Sequence, residues 1–231
     1  MKHQITRPPH INIFAFLIYF LSGSALIAGG FRLGEQVRSF PIQQIDLIIA
    51  RFFDTHRITS FIIISQFISS FEVVLLLMMI AFLCLFIKNK DKKAALMIVA
   101  GAIAWIIMRA LKLYYNKACP EVYGITELYW FKFLSGGFLD NISYGIFGRL
   151  CYPSGHSANY LINLGILTYL IDKITSKVYL QRILTSLFMF LIVSVGMSRI
   201  VLGSHFVSDV IGGYLFGLGT LLIIFSIFQF K

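Results

Sequence analysis

Residues 198–228 read SRIVLGSHFVSDVIGGYLFGLGTLLIIFSIF. From Phe206 to Phe228 the only charged residue is Asp209, and an apolar run of this length matches a bilayer core of about 30 Å. The segment reads as a transmembrane helix with a carboxylate near its start. A charge within such a span costs about 3 kcal/mol on insertion scales, so function is the better default for Asp209. His205 stands four residues earlier, on the same helix face. A carboxylate behind an imidazole fixes the ring's tautomer and supports positive charge on it, which suits a nucleophile or base. Taken alone, a structural pair of two polar groups near the bilayer would look the same.

Working outward, the whole chain has this apolar character. Of 231 residues, 58% are hydrophobic and 13% charged, and a soluble domain of that size could not hide so much apolar surface. Span 1 is expected from Ile11 to Gly30. Its apolar core is long and lacks a small-residue cleavage site, so it reads as a retained span rather than a signal peptide. Gln43–Arg57 mixes apolar residues with Asp46, Arg51 and Asp54 at helical spacing and reads as an interfacial helix. Ser60–Ile87 is too long for one crossing. Its polar cluster Ser65, Gln66, Ser69, Ser70 and Glu72 divides it into an approach and a span 2 starting near Phe71. Span 3 is expected over Ala94–Tyr115, span 4 over Ser154–Ile171, span 5 over Gln181–Met197 and span 6 over Phe206–Phe228. The expected fold is therefore all-α: an integral membrane bundle of six transmembrane helices plus an interfacial helix. It forms one domain over residues 1–231. A long loop at about 116–152, rich in glycine, is of a length that usually serves function.

Six crossings put both termini on one side, with the Lys88–Lys93 loop and the turn of Asp172, Lys173 and Lys177. That short lysine loop is the strongest positive-inside signal, so the termini are expected to be cytoplasmic. The net charge of +10 is explained by basic residues flanking the spans and facing anionic headgroups. No exposed basic helix or aromatic RNA-binding motif points to nucleic acid. Cys84, Cys119 and Cys151 lack the spacing of a zinc or thioredoxin-like site, and Cys84 lies in an apolar run where packing explains it.

The same parity brings polar clusters to one membrane face. Lys112 lies late in span 3, Ser154-Gly155-His156 opens span 4, Ser198-Arg199 closes span 5, and His205 and Asp209 open span 6. Pro153 and Gly155 at a helix start leave free N–H groups at the positive end of a helix dipole, which makes an anion site. His156 there can protonate a departing oxygen; read alone, the tetrapeptide can equally be a helix cap. The fork of Arg199 suits phosphate oxygens, although a lone arginine there can also anchor headgroups. His3, His10 and His56 fall outside these clusters, and no catalytic role is expected of them.

At this point the chain resembles the type 2 phosphatidic acid phosphatase family. Ser198-Arg199, five residues, His205, three residues and Asp209 look like its third signature, and Pro153-Ser154-Gly155-His156 looks like its second. The resemblance covers Ile11 to Phe228. It implies a phosphohistidine mechanism with no metal and no other cofactor. His205 would attack phosphorus, Asp209 would orient it, and His156 would protonate the leaving oxygen. Lys112, Ser154, Gly155 and Arg199 would bind the phosphate oxygens. The implied substrate is a lipid phosphate or diphosphate, such as undecaprenyl diphosphate, phosphatidylglycerol phosphate, phosphatidate or a lipid A phosphate. It would be met on the extracytoplasmic face of the inner or plasma membrane. The chain departs from the first signature: Lys112 is followed by six residues and then, in the place of an arginine, by Cys119, before Pro120. Arg109, Lys117 and Arg149 are the nearby cations available for that role. Two alternatives stand beside hydrolysis. One is phosphotransfer to a second lipid, and the other is a catalytically impaired lipid-binding or transport protein, which the loss of the arginine favours. Related haloperoxidases share the signatures but are soluble. Finally, Cys119 and Cys151 flank the long loop on the oxidising side. They can close a disulfide or remain two separate thiols.

Overall fold

The apolar runs fold as helices. The computed structural model describes residues 13–56, 64–65, 71–88, 91–119 and 150–228. Among them run α1 (Ile13–Gln36), α2 (Phe40–Thr55), α3 (Phe71–Leu83) with a wider π turn at Cys84–Lys88, α4 (Lys92–Tyr115), α5 (Gly155–Tyr169), α6 (Ile171–Ile174), α7 (Val178–Val201) and α8 (Val207–Ile227). The other regular feature among these residues is an isolated antiparallel bridge between Ala118 and Leu150. The N-terminal residues to Asn12, most of Ser60–Ser70, Lys90 and residues 120–149 lie outside the described residues. The approach segment, most of the long loop and Arg149 fall there.

Side-chain and backbone caps set the helix ends. Asp91 accepts from the Ala94 amide at 2.9 Å, opening α4, and Ser154 caps α5 by accepting from Ser157 N. Helix α4 stops at Asn116, which takes the left-handed conformation (φ 46°) that asparagine tolerates at a C-terminus. Arg38, just beyond α1, donates to the carbonyls of Tyr115 and Asn116 at 3.0 and 2.8 Å. A cation is thereby placed where the α4 dipole is negative.

Helix α5 is the axis of the bundle. Residues Ser157–Tyr160 and Ile162–Leu167 are all buried, because α8, α7, α4 and α3 pack around it. Helix α1 lies along the outside of α8. They cross at Gly23 and Gly219, where a Cβ on either would stand 2.7 Å from the other's carbonyl oxygen; small residues of this kind let membrane helices approach closely. The outer faces are apolar. Ile106 and Ile107 of α4 and Ile183, Phe190 and Val193 of α7 are all exposed, as expected where the surroundings are hydrocarbon and not water.

Helices α1, α4, α7 and α8 are each long and apolar enough to cross a membrane. Helices α3 and α5 are shorter than the expected spans 2 and 4. Helix α5 has 15 residues, a rise of about 22 Å at 1.5 Å per residue. Sheathed by its neighbours, it meets little lipid and needs no full-length apolar run. The chain breaks at Leu170, and Asp172 and Lys173, expected in a turn, form part of α6. Helix α7 runs past Met197 to Val201, so Arg199 sits in its last turn. Helix α2 starts earlier than expected, at Phe40, and turns Asp46 inward, where it is 3% exposed. At one end of the bundle Lys173 Nζ meets Asp91 Oδ2 at 2.6 Å, which joins the two basic turns as span counting requires. The opposite end carries the polar clusters.

Candidate active site

The first turns of α5 and α8 are pressed together. Ser154 N donates to the carbonyl of Asp209 at 2.9 Å. A Cβ on Gly213 would stand 2.5 Å from Ser154 O, so only glycine fits at this contact. Lys112, on the last turn of α4, reaches the same place: its Cε lies 3.7 Å from where a Cβ on Gly155 would be, and its Nζ donates to Leu150 O at 3.0 Å. His156 follows in the first turn of α5 and is half-buried. Tyr152, fully buried, stands edge-on to Tyr115 and donates to the carbonyl of Gly30. The segment entering α5 is thus held against α1 and α4.

The nucleophile candidate comes from the turn between α7 and α8. The carbonyl of Arg199 accepts from both Ser204 N at 3.0 Å and His205 N at 3.2 Å. Gly203 supplies the positive φ of 61° that this reversal needs. The turn buries His205 to 4% exposure, with Nδ1 3.6 Å from Asp209 Oδ2. That distance exceeds a hydrogen bond, so the carboxylate faces the ring nitrogen without bonding to it directly. Burial is the main cause that lowers the His205 pKa, to about 3; Asp209 opposes the shift, while the charges of Lys112 and Arg199 add to it. The imidazole is therefore neutral at physiological pH, and Nε2 is the ring nitrogen turned away from Asp209.

The seven residues singled out from the sequence, Lys112, Ser154, Gly155, His156, Arg199, His205 and Asp209, thus stand at one end of the bundle on four helices and one turn. Two cations and the amide-bearing start of α5 are the kinds of group that attract an anion.

Around Asp209 the structure adds what sequence reasoning missed. Lys117 donates to Asp209 Oδ1 at 2.8 Å, to Ser208 Oγ at 3.0 Å and to Asp46 Oδ2 at 3.3 Å. Asp46 also accepts from Ser208 N at 2.9 Å. Lys117 is one of the three cations near the place of the first-signature arginine. All three of its ammonium protons are spent inside the protein. Arg109 lies over the ring of Trp105, 5.0 Å from its centroid, and Arg149 is outside the described residues. Asp46 carried one usable signal, a carboxylate in the middle of an amphipathic stretch, but sequence alone could not turn it inward.

Cys119 and Cys151 form a disulfide, with Cα atoms 5.0 Å apart and a sequence separation of 32. The reading of two separate thiols is corrected. The Ala118–Leu150 bridge and the bond from Cys151 N to Lys117 O, 2.8 Å, bring the two segments together. Ligand-type atoms of Cys151, His205 and Asp209 lie within 4.8 Å of one another. They make a poor metal site, because the sulfur is already bonded to Cys119 and the carboxylate accepts from Lys117 and from Phe206 N.

Comparisons with known proteins place this geometry. No curated protein matches the chain. Among solved structures, the chain is similar to a transmembrane PAP2-type phosphatidylglycerolphosphate phosphatase from Bacillus subtilis. The identity is 20%, the TM-score is 0.73, and the match covers 90% of this chain and 96% of that one. This likeness establishes the fold. The sequence model described as PAP2 superfamily matches residues 93–231, more than half the chain, including every candidate site residue. With its apolar helices, this chain is a membrane protein belonging to the PAP2 superfamily.

Proposed function

We propose that the chain is a lipid phosphatase that removes phosphate from a lipid phosphate or diphosphate through a phosphohistidine intermediate. The observation that carries this reading is the meeting of a neutral, buried His205, backed by Asp209, with Lys112, Arg199 and the start of α5. In the first step His205 Nε2 attacks phosphorus and the bond from phosphorus to the leaving oxygen breaks. His156 delivers a proton to that oxygen, and the positive ring that results is balanced by Asp209. In the second step water attacks phosphorus, gives its proton to His156, and the N–P bond breaks to release phosphate. Lys112, Arg199, the hydroxyl of Ser154 and the amide of Gly155 hold the equatorial oxygens, where charge develops. No step calls for a metal or other cofactor.

The membrane placement that goes with this chemistry has one domain with six crossings, by α1, α3, α4, α5, α7 and α8. Helix α2 lies at the interface, the termini are cytoplasmic, and the site faces the extracytoplasmic side. The substrate is among undecaprenyl diphosphate, phosphatidylglycerol phosphate, phosphatidate and lipid A phosphate. The test is phosphate release by the purified protein in detergent from each of these lipids, with His205→Ala alongside. We expect turnover of at least one lipid by the wild type and none by the variant. Absence of release from every lipid would favour a lipid-binding role instead, and release by His205→Ala at the wild-type rate would rule out the assigned nucleophile.

A further inference from the structure

We propose that Lys117 and Asp46 are positioning residues that keep Asp209 ionised and aimed at His205, so that α2 belongs to the catalytic machinery. The inference rests on the phosphohistidine reading above, because it concerns what supports the ring that forms the intermediate.

The observations are geometric. Asp209 is fully buried, and its two oxygens are divided between separate partners. Oδ2 accepts from Phe206 N at 2.9 Å and faces His205 Nδ1. Oδ1 accepts from Lys117 Nζ at 2.8 Å. The ammonium is buried too, lies over the ring of Phe206 at 4.8 Å, and is shared with Asp46, itself 3% exposed. Ser208 closes the ring of contacts by donating its amide to Asp46 and accepting from Lys117. Two carboxylates therefore stand on either side of one ammonium, in a place with little water to screen them.

The electrostatic consequence is direct. With Lys117 in place, the ammonium stands between the two carboxylates and offsets their charge. Without it, two buried carboxylates face each other, and like charges so close retain a proton between them. A protonated Asp209 can neither balance a positive ring nor hold the imidazole by charge. Besides Lys117, the ionisable groups whose charge is felt at Asp209 are His205 and Tyr152, while Lys112 at the end of α4 and Arg199 at the end of α7 act on His205. Lys117 is the cation hydrogen-bonded to the carboxylate. Lys117 itself is held from behind, since its carbonyl accepts from Cys151 N beside the disulfide. Its side chain is thus fixed to the same clamp that orders the entry to α5. Nothing in this arrangement requires Lys117 to touch substrate; it acts through Asp209.

The experiment compares kcat and its pH profile for wild type, Lys117→Met, Lys117→Met combined with Asp46→Asn, and His205→Ala, using whichever lipid phosphate the panel shows to be turned over. Lys117→Met should lower kcat by roughly 10–100-fold near neutral pH, the range for losing a group that orients a reacting imidazole's partner. The loss should be greatest at low pH and shrink as pH rises, because the retained proton then leaves. Removing the Asp46 charge as well should restore kcat to within about tenfold of wild type and return the profile to its wild-type shape, since one carboxylate then stands alone. A loss equal at every pH, or a double variant no better than the single one, would overturn the inference and leave Lys117 a packing residue. If Lys117→Met does not fold, the double variant decides alone: activity with a wild-type pH profile supports the inference, and an inactive folded protein overturns it. His205→Ala separates the two levels. If it is dead while Lys117→Met is unaffected, only this inference fails. If it stays active, the phosphohistidine reading itself fails.

Discussion

His205 owes its neutral ring to where the chain puts it, and the same placement has a cost that can be measured. Buried beside two cations, the ring resists protonation down to about pH 3, well below the ordinary 6.5. A histidine lowered in the folded state is charged first in the unfolded chain, so the unfolded state binds the extra proton between those two values. Stability is therefore fully present above about pH 6.5 and falls as the pH drops through that window toward 3. The slope is up to about 1.4 kcal/mol per pH unit from this one group. Thermal unfolding in detergent at pH 7 and pH 4.5 checks this. The wild-type midpoint should fall further between the two than that of His205→Asn, which has no ring to titrate. Equal drops would mean that His205 is not held neutral. At the same scale Cys119 shows how a single letter misleads. Read as a lost arginine, it pointed to a weakened phosphate site. Bonded to Cys151, it instead fixes the backbone from which Lys117 reaches Asp209.

At the scale of helices, the site depends on α5 and α8 meeting without a side chain between them. Gly213 on α8 faces the carbonyl of Ser154, a backbone atom that cannot swing aside. Gly213→Ala must push the two helix starts apart. Because Asp209 lies one turn earlier on α8, the Asp209–His205 pair moves with them. Overpacking of this kind costs about 1–3 kcal/mol, and a thermal-shift measurement should register it together with a fall in phosphate release of roughly tenfold or more. Wild-type activity and stability in Gly213→Ala would show that the contact is looser than described. Most helices were legible from apolar runs and caps, since both are local properties of the chain. The length of α5 was not. Its shortness depends on being surrounded by α3, α4, α7 and α8, a fact about neighbours that no single run of residues contains. The inward turn of Asp46 was hidden for a similar reason: an amphipathic pattern tells that a helix has two faces, but not that one carboxylate on it will find an ammonium from a distant segment.

For the molecule as a whole, counting crossings was the step that gathered the site before any coordinates. On the expected six crossings each passage reverses the chain, so the ends of spans 3 and 5 and the starts of spans 4 and 6 are expected to share a face. The Asp91–Lys173 pair at the far end agrees with the same count. Spacing within the signatures then selected His156, Arg199, His205 and Asp209. What parity cannot supply is the network behind Asp209, which joins α2, the segment after α4 and α8 across contacts more than 70 residues apart in sequence. The central claim is that phosphorus passes through a bond to His205. Its most direct test is to mix the protein with substrate labelled in the transferred phosphate, quench within a turnover in alkali, which preserves a phosphohistidine, and locate the label by mass spectrometry. The account predicts one phosphoryl group on the tryptic peptide that begins at Ile200, lost on acid treatment and absent from His205→Ala. An active protein that never carries label on that peptide, or carries it equally in His205→Ala, would contradict it.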